Sequence, residues 1–159
     1  MKVLKITNDN KNDVRKFFIK HWGSAEMIVS SGIYNCSELD GFIYVNEHDE
    51  ITGLITYMIR DNECEIISLD STEEGKGIGS ELVRVVEHLA KQNDCEIVSL
   101  LTTNDNLHAL KFYQKRGYRI VEIIPNAVQK ARAIKPSVPL IGNADIPLHD
   151  ELKLQKVLA

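Results

Sequence analysis

The fold is decided by residues 69–92, LDSTEEGKGIGSELVRVVEHLAKQ, in which three glycines at alternate positions separate an apolar run from an amphipathic segment. The glycines are Gly75, Gly77 and Gly79. Glycine at this density costs conformational entropy unless the backbone must adopt unusual dihedral angles or approach something closely. The apolar spacing that follows predicts a helix over residues 78–91. We therefore expect a loop whose N–H groups face a ligand at the start of a helix.

The ligand expected at this loop is an anion. A helix N-terminus presents unpaired N–H groups and the positive end of the helix dipole, Lys76 adds a cation, and a diphosphate fits both. A phosphate-binding P-loop needs GxxxxGK followed by Ser or Thr, which is absent. A dinucleotide fingerprint needs GxGxxG in the first strand–helix unit, whereas this loop follows three strands. A glycine-rich turn without any ligand stays open as the alternative.

Composition limits the classes of protein that the chain can belong to. Its 159 residues suit one domain, so we expect a single domain over residues 1–159. The net charge of −4 argues against a nucleic-acid partner. The sequence has neither an apolar run as long as a membrane span nor the pattern of a secretory signal, which favours a cytoplasmic protein without a membrane partner. The spacing of the cysteines favours reduced thiols over disulfides or a metal site; they are Cys36, Cys64 and Cys95.

Hydrophobic periodicity gives a coarse element string. It predicts strands at 2–6, 41–46, 51–59, 64–70, 95–103, 118–124 and 150–158, and helices at 7–23, 24–32, 78–91 and 105–117. All four prolines lie in the last 35 residues, and 125–147 reads as an irregular excursion with a helical turn or two at 127–133. Three consecutive strands joined by short turns favour antiparallel pairing. One strand–helix–strand unit inside such a sheet indicates an α+β, or mixed α/β, fold.

Two signatures, in the right order, resemble those of the GCN5-related N-acetyltransferases. That family's acyl-CoA-binding motif is Gln or Arg, two residues, Gly, any residue, then Gly or Ala. In EGKGIGSELV the glycine half is matched by Gly77-Ile78-Gly79, while Glu74 stands where Gln or Arg is usual. The second signature is similar to NDNLHALKFYQKRGY, and its matching residues are Asn106, Ala109, Tyr113, Gly117 and Tyr118.

The resemblance implies an acyl-CoA N-acyltransferase fold with a mostly antiparallel central sheet and helices on both faces. Two parallel strands, 64–70 and 96–103, would splay apart and admit acetyl-CoA as cosubstrate. Main-chain groups near Ile67 and Leu69 would pair with the pantetheine amides, and the amides of 75–80 would hold the pyrophosphate. The implied cofactor-binding residues are Ile67, Leu69, Gly75, Lys76, Gly77, Ile78, Gly79, Ser80, Asn106, Ala109 and Tyr113.

The resemblance also implies catalytic roles. Tyr113 would protonate the departing thiolate, and a carboxylate on the strand before the loop would take the amine proton. Glu65 is the leading candidate for that carboxylate, with Glu63 and Asp70 as alternatives. Purely structural roles remain open as alternatives. Tyr113 would then be a core aromatic residue beside Phe112, and Glu65 would be a solvated carboxylate on a strand.

His21, Trp22, Thr103 and Asn104 are the candidate acceptor-binding residues, and residues 125–147 are a candidate cover for the acceptor cavity. We expect direct acetyl transfer from acetyl-CoA to a primary amine of a small molecule or peptide, without a covalent enzyme intermediate or a metal. The alternatives are a non-catalytic acyl-CoA-binding sensor and an interaction domain whose loop is only a turn. Edge strands from the last segment could pair in a homodimer.

Overall fold

The computed structural model describes residues 2–159, and nine strands and four α-helices lie within that range. In chain order they are β1 (Lys2–Lys5), α1 (Lys11–Trp22), β2 (Glu26–Val29), β3 (Gly32–Asn35), β4 (Asp40–Val45), β5 (Ile51–Arg60), β6 (Glu63–Ser71), α2 (Ile78–Gln92), β7 (Ile97–Thr103), α3 (Leu107–Lys115), β8 (Arg119–Ile124), α4 (Ala127–Ile134) and β9 (Glu151–Val157).

The chain divides into two compact units. The first takes in the chain up to Met27, Tyr34–Val98 and the last two residues, and the second takes in Ile28–Ile33 and Ser99–Val157. In the first unit β4 pairs with both β1 and β5, and β5 pairs with β6, all antiparallel. In the second the strand order is β7-β9-β8, and β8 and β9 are antiparallel. The mixed α/β class with a mostly antiparallel sheet is confirmed.

Helices cover both faces of the sheet in the first unit. On one face, Ile78 and Leu82 of α2 lie against Gly53 of β5, where a Cβ atom would have no room. On the opposite face α1 packs beside a short 3₁₀ turn at Cys36–Glu38. Helix α1 buries Val14, Phe17 and Phe18, which follow one another at helical spacing, while His21 one turn further on is exposed.

An irregularity in the pairing of β5 with β6 decides which side chains share a face. Thr56 pairs with Ser68, but Tyr57 pairs with Ile66, so Ile67 is an extra residue in β6. A bulge of this kind reverses the alternation of side chains beyond it. Alternate residues of β5 lie on one face, and their partners in β6 therefore lie on that face too. The pairs are Leu54 with Asp70, Thr56 with Ser68, and Met58 with Glu65.

The helix predicted for residues 24–32 is wrong, because the segment forms β2, a turn and the start of β3. Ala25, Glu26 and Met27 favour a helix, but the next residues, Ile28 and Val29, are β-branched and prefer a strand. The turn is fixed from a distance. The N–H and hydroxyl groups of Ser30 both donate to Glu151, at 3.1 and 2.7 Å, and Glu151 is buried.

The other predicted elements are present, with ends that differ by a few residues, and the helical turn expected at 127–133 is α4. The splaying of the two parallel strands stays a prediction. None of the helices within residues 2–159 has the length and apolar character that crossing a bilayer requires.

Candidate functional site

The glycine loop adopts the left-handed geometry that its composition predicts. Gly75 has φ 76° and Gly77 has φ 73°, where a side chain on an L-residue is strained. A Cβ atom at either position would meet nothing within 4 Å. The glycines are therefore needed for backbone conformation and not for tight packing inside the protein. Gly79 lies in the first turn of α2.

Helix α2 begins at this loop without a side-chain cap. Gly77 is the N-cap residue, and within the described chain no side chain makes a capping hydrogen bond there. N–H groups in the first turn of a helix have no intrahelical partner and favour an anion. The loop around them is solvent-exposed and carries Lys76. This start of α2 is a candidate anion site with room in front of it.

Two acidic residues precede the glycines on the exposed loop. Ser71 and Glu73 bond to each other locally, because the Ser71 hydroxyl donates to the Glu73 carbonyl at 2.9 Å and accepts from its N–H at 3.3 Å. Glu74, which stands where the family motif has Gln or Arg, is exposed. Its carboxylate opposes an anion, so binding there depends on the backbone amides and Lys76.

The β6 face that the bulge creates is unusually polar for a buried surface. The hydroxyls of Thr56 and Ser68 lie 2.5 Å apart, and both residues are buried. The Cys36 thiol is hydrogen-bonded to Thr56, and burial raises the pKa of this thiol to about 11. A thiol with such a pKa is neutral near pH 7 and is a poor nucleophile.

Glu65, the leading candidate for the base, is held in an ionic cluster. Its carboxylate accepts from the Arg60 guanidinium at 2.8 Å, and Arg60 also donates to the Tyr34 hydroxyl. Glu65 is 5% exposed and Tyr34 is 6% exposed. The hydrogen bond to Glu65 raises the pKa of Arg60, which favours the charged guanidinium.

Asp70 differs from Glu65 because one of its carboxylate oxygens is unpaired within the described residues. Its Oδ2 atom is buried and has no hydrogen-bond partner in the described part of the chain, while the carboxylate accepts a hydrogen bond from Trp22. Burial raises the pKa of Asp70 from 3.8 to about 7, and the bond from Trp22 lowers it in part. A carboxyl group near the end of β6, a few residues before the glycine loop, therefore titrates near neutral pH.

The second signature has a clear structural role in the second unit. The Asn106 side chain caps α3 by accepting from the Ala109 N–H at 3.1 Å. Tyr113 is 5% exposed, and its ring makes edge-on contacts with Phe112 and Tyr118, with centroids 5.0 and 5.3 Å away. These contacts fix the orientation of the Tyr113 side chain. A fixed orientation is required of a positioned acid and is also a property of a core aromatic residue, so both roles agree with it.

Two of the expected acceptor residues hold the proline-containing segment in place. The Asn104 amide donates to the Pro147 carbonyl at 2.8 Å and accepts from the N–H groups of His149 and Asp150. The Thr103 hydroxyl donates to Asp105. Sequence reasoning missed two further anchors of the segment. Asp105 accepts from Asn143, and Arg132 donates to three main-chain carbonyls, those of Val138, Pro139 and Leu148.

The other two expected acceptor residues lie at the end of α1. His21 is exposed and stacks on Phe17, with ring centroids 4.4 Å apart. Trp22 packs against Phe18 at 5.0 Å and remains 39% exposed. Trp22 is therefore both partly exposed and a hydrogen-bond donor to Asp70. Within residues 2–159 no group of three His, Cys, Asp or Glu side chains is arranged to hold a metal ion.

Comparison with known proteins shows the family to which the chain belongs. The model of the acetyltransferase (GNAT) family matches residues 7–118, well over half of the chain. The chain is also similar to the uncharacterized protein YxbD of Bacillus subtilis (strain 168), with 51% identity over 148 residues that make up 93% of each chain. The protein therefore belongs to the GNAT acetyltransferase family.

Solved structures agree on the fold. The IAA acetyltransferase from Bacillus cereus ATCC 14579 is similar with a TM-score of 0.75 and 20% identity over 99% of each chain. A GNAT family acetyltransferase from Elizabethkingia anophelis with acetyl-CoA bound has a TM-score of 0.71 and 20% identity, covering 99% of this chain and 97% of that one. At such identities the likeness establishes the fold.

The stability of the protein should report the ionisation of Asp70. Because the pKa of Asp70 is raised to about 7 on folding, the stabilising contribution of its protonated form is complete below its unfolded pKa of 3.8 and is lost as the pH rises through about 7. Asp70→Asn cannot ionise. We expect its unfolding free energy, relative to wild type, to increase between about pH 4 and pH 8 in urea titrations. A difference that stays constant over this range would contradict a raised pKa.

Proposed function

We propose that the protein is an N-acetyltransferase that transfers the acetyl group of acetyl-CoA directly to a primary amine. The observation that carries the proposal is the uncapped start of α2 behind two left-handed glycines, in a chain of the GNAT acetyltransferase family. This start offers several N–H groups and a positive dipole to a diphosphate. The Elizabethkingia structure, which contains acetyl-CoA, supports the same donor.

The donor would be held mostly by main-chain groups. The N–H groups of residues 75–80, with Lys76 beside them, would bind the pyrophosphate. Main-chain groups near Ile67 and Leu69 would pair with the pantetheine amides, as a strand added to a sheet edge does. Ile67 is the extra residue of the bulge, where regular pairing with β5 is interrupted. Backbone binding of this kind tolerates Glu74, because it does not need the side chain that the usual Gln or Arg supplies.

The chemistry needs one proton acceptor and one proton donor. The amine must be deprotonated before it attacks the thioester carbonyl, and a carboxylate of β6 would accept that proton. The thiolate of CoA then leaves, and the Tyr113 hydroxyl would protonate it. A positioned acid or base accelerates such a step by about 10²–10⁴-fold. The neutral Cys36 thiol does not favour a covalent acetyl-enzyme intermediate.

The acceptor is best assigned to the part of the first unit around Trp22, since this side chain is both partly exposed and bonded to Asp70. A small-molecule or peptide amine is the proposed acceptor. Thr103 and Asn104 would contribute indirectly, because their side chains hold the proline-containing segment. A non-catalytic acyl-CoA sensor is the second candidate, and it is favoured by one observation, the acidic Glu74 on the binding loop.

Acetyl-CoA binding should depend on the two loop glycines. Val at position 77 is strained at φ 73°, and Val at 79 crowds the first turn that faces the ligand. We expect saturable binding of acetyl-CoA to wild type by isothermal titration and at least about tenfold weaker binding to Gly77→Val/Gly79→Val.

The matched control is Gly23→Val, because Gly23 is also left-handed, with φ 78°, but lies at the end of α1. This variant should lose stability and keep its affinity for acetyl-CoA. A flat titration of well-folded wild type would contradict the proposed donor.

Substitution of the proposed acid should separate an enzyme from a sensor. Tyr113→Phe removes only the hydroxyl and keeps the ring contacts with Phe112 and Tyr118. We expect kcat for CoA release with a primary amine to fall by about 10²–10⁴-fold, while the Kd for acetyl-CoA changes by no more than about twofold.

Tyr118→Phe is the matched control, since it removes a hydroxyl from the same aromatic cluster and should not lower kcat comparably. Equal losses in both variants would make the role of Tyr113 structural. Acetyl-CoA binding without turnover of any amine would favour the sensor.

A further inference from the structure

The polar face of β6 ends in a carboxylate that its surroundings do not neutralise. Asp70 is bonded on one side by Trp22, and its Oδ2 atom is buried without a partner in the described chain. Buried polar atoms are nearly always hydrogen-bonded, so an unpaired carboxylate oxygen calls for an explanation. A cationic or hydrogen-bond-donating ligand would supply the missing partner.

We propose that Asp70 is the residue that accepts the proton of the acceptor amine, and that the Trp22 indole positions it for this role. The proposal rests on the acetyltransferase function inferred above and assigns the proton acceptor of that reaction. It departs from the sequence-based choice of Glu65. The assignment is carried by the arrangement of hydrogen bonds on the face of β6 shared by both carboxylates.

Glu65 is unsuited to the role because its negative charge is already compensated. The Arg60 guanidinium lies 2.8 Å from Glu65, so this carboxylate is already engaged by a cation on a buried face. The Tyr34 hydroxyl completes the cluster by accepting from Arg60. The physical role of Glu65 is therefore to satisfy a guanidinium on a buried face, where leaving either partner alone would be costly.

The groups around Asp70 leave its charge uncompensated. From α1 it faces Trp22, whose indole N–H is its hydrogen-bond donor. From the 3₁₀ turn it faces the Cys36 thiol, which is neutral near pH 7 because its pKa is raised to about 11. Arg60, a cation on the same face, is paired with Glu65. The remaining neighbours on this face are uncharged: Leu54, Thr56 and Ser68.

Trp22 is the neighbour of this carboxylate through which we propose that an amine approaches. Its ring is fixed against Phe18, the residue is 39% exposed, and its N–H donates to Asp70. By donating to one oxygen, the indole fixes the plane of the carboxylate and leaves Oδ2 for the substrate. An apolar, partly exposed ring beside a carboxylate also suits a protonated amine attached to an apolar group.

The proposed step is balanced in protons and bonds. An ammonium donates one proton to ionised Asp70, and the free amine attacks the thioester carbonyl. A C–N bond forms and the C–S bond breaks. The departing thiolate takes a proton from the Tyr113 hydroxyl, as in the proposed function. The nitrogen loses its second proton, which restores the Tyr113 hydroxyl. Asp70 then releases its proton to water, so the products are an amide, the CoA thiol and one proton. A base that titrates near the working pH is effective in such a step.

The experiment combines a carboxyl titration with turnover. In protein labelled with ¹³C at aspartate carboxyl groups, the signal lost in Asp70→Asn should titrate near pH 7 in wild type and at higher pH in Trp22→Phe, because the indole donor favours the ionised form. With acetyl-CoA and a panel of spermidine, tyramine, histamine and an alanine-terminated peptide, Asp70→Asn should release CoA about 10²–10⁴-fold more slowly. Its Kd for acetyl-CoA should stay within about twofold of wild type.

Asp61→Asn is the matched control, since it makes the same chemical change at an exposed turn residue and should leave turnover intact. The assignment is overturned if Asp70 titrates at an ordinary carboxyl pKa, if Trp22→Phe leaves that pKa unmoved, or if Asp70→Asn turns over at the wild-type rate. Acetyl-CoA binding without turnover of any panel amine by wild type would instead refute the acetyltransferase function on which the assignment rests. Loss of turnover in Glu65→Gln with full turnover in Asp70→Asn would return the role to Glu65.

Discussion

Helix α2 starts without a side-chain cap, and the first unit is built so that this start faces solvent. The chain must leave β6, turn and enter a helix within a few residues, which two glycines in the left-handed region make possible. A residue with a side chain there would cost about 1–2 kcal/mol. The N–H groups that a capping side chain would satisfy have no such partner there. In the proposed function, the pyrophosphate of the donor would bind these groups and so complete the helix.

The bulge in β6 is the second constraint, because it aligns polar side chains that regular alternation would separate. Glu65, Ser68 and Asp70 share one face only because Ile67 is an extra residue. The first two are satisfied by Arg60 and Thr56. Asp70 is satisfied on one side only. An incompletely satisfied carboxylate lowers stability when it is charged, and such local instability is a common property of functional sites.

The sequence predicts the glycine loop, the helix after it and the strands around it, since these depend on local spacing and backbone preference. It misses features that depend on distant partners. The β2–β3 hairpin has helix-favouring residues at its start and is fixed at its turn by Glu151, 121 positions away. The bulge follows from pairing between strands. The hydrogen bonds of the Asn104 amide to a segment more than forty residues further along the chain do not follow from local spacing, and its contact with an acceptor stays a prediction. The raised pKa of Asp70 requires knowledge of its burial.

The most direct test of the account is amide hydrogen exchange with and without saturating acetyl-CoA. If the uncapped start of α2 is the donor site, exchange should slow at residues 75–80 and at the end of β6, because these N–H groups gain hydrogen-bond acceptors or neighbours that exclude water. Exchange in the β4–β5 turn around Asp49 should stay unchanged. Saturating acetyl-CoA that leaves residues 75–80 exchanging as fast as in the free protein would contradict the central claim.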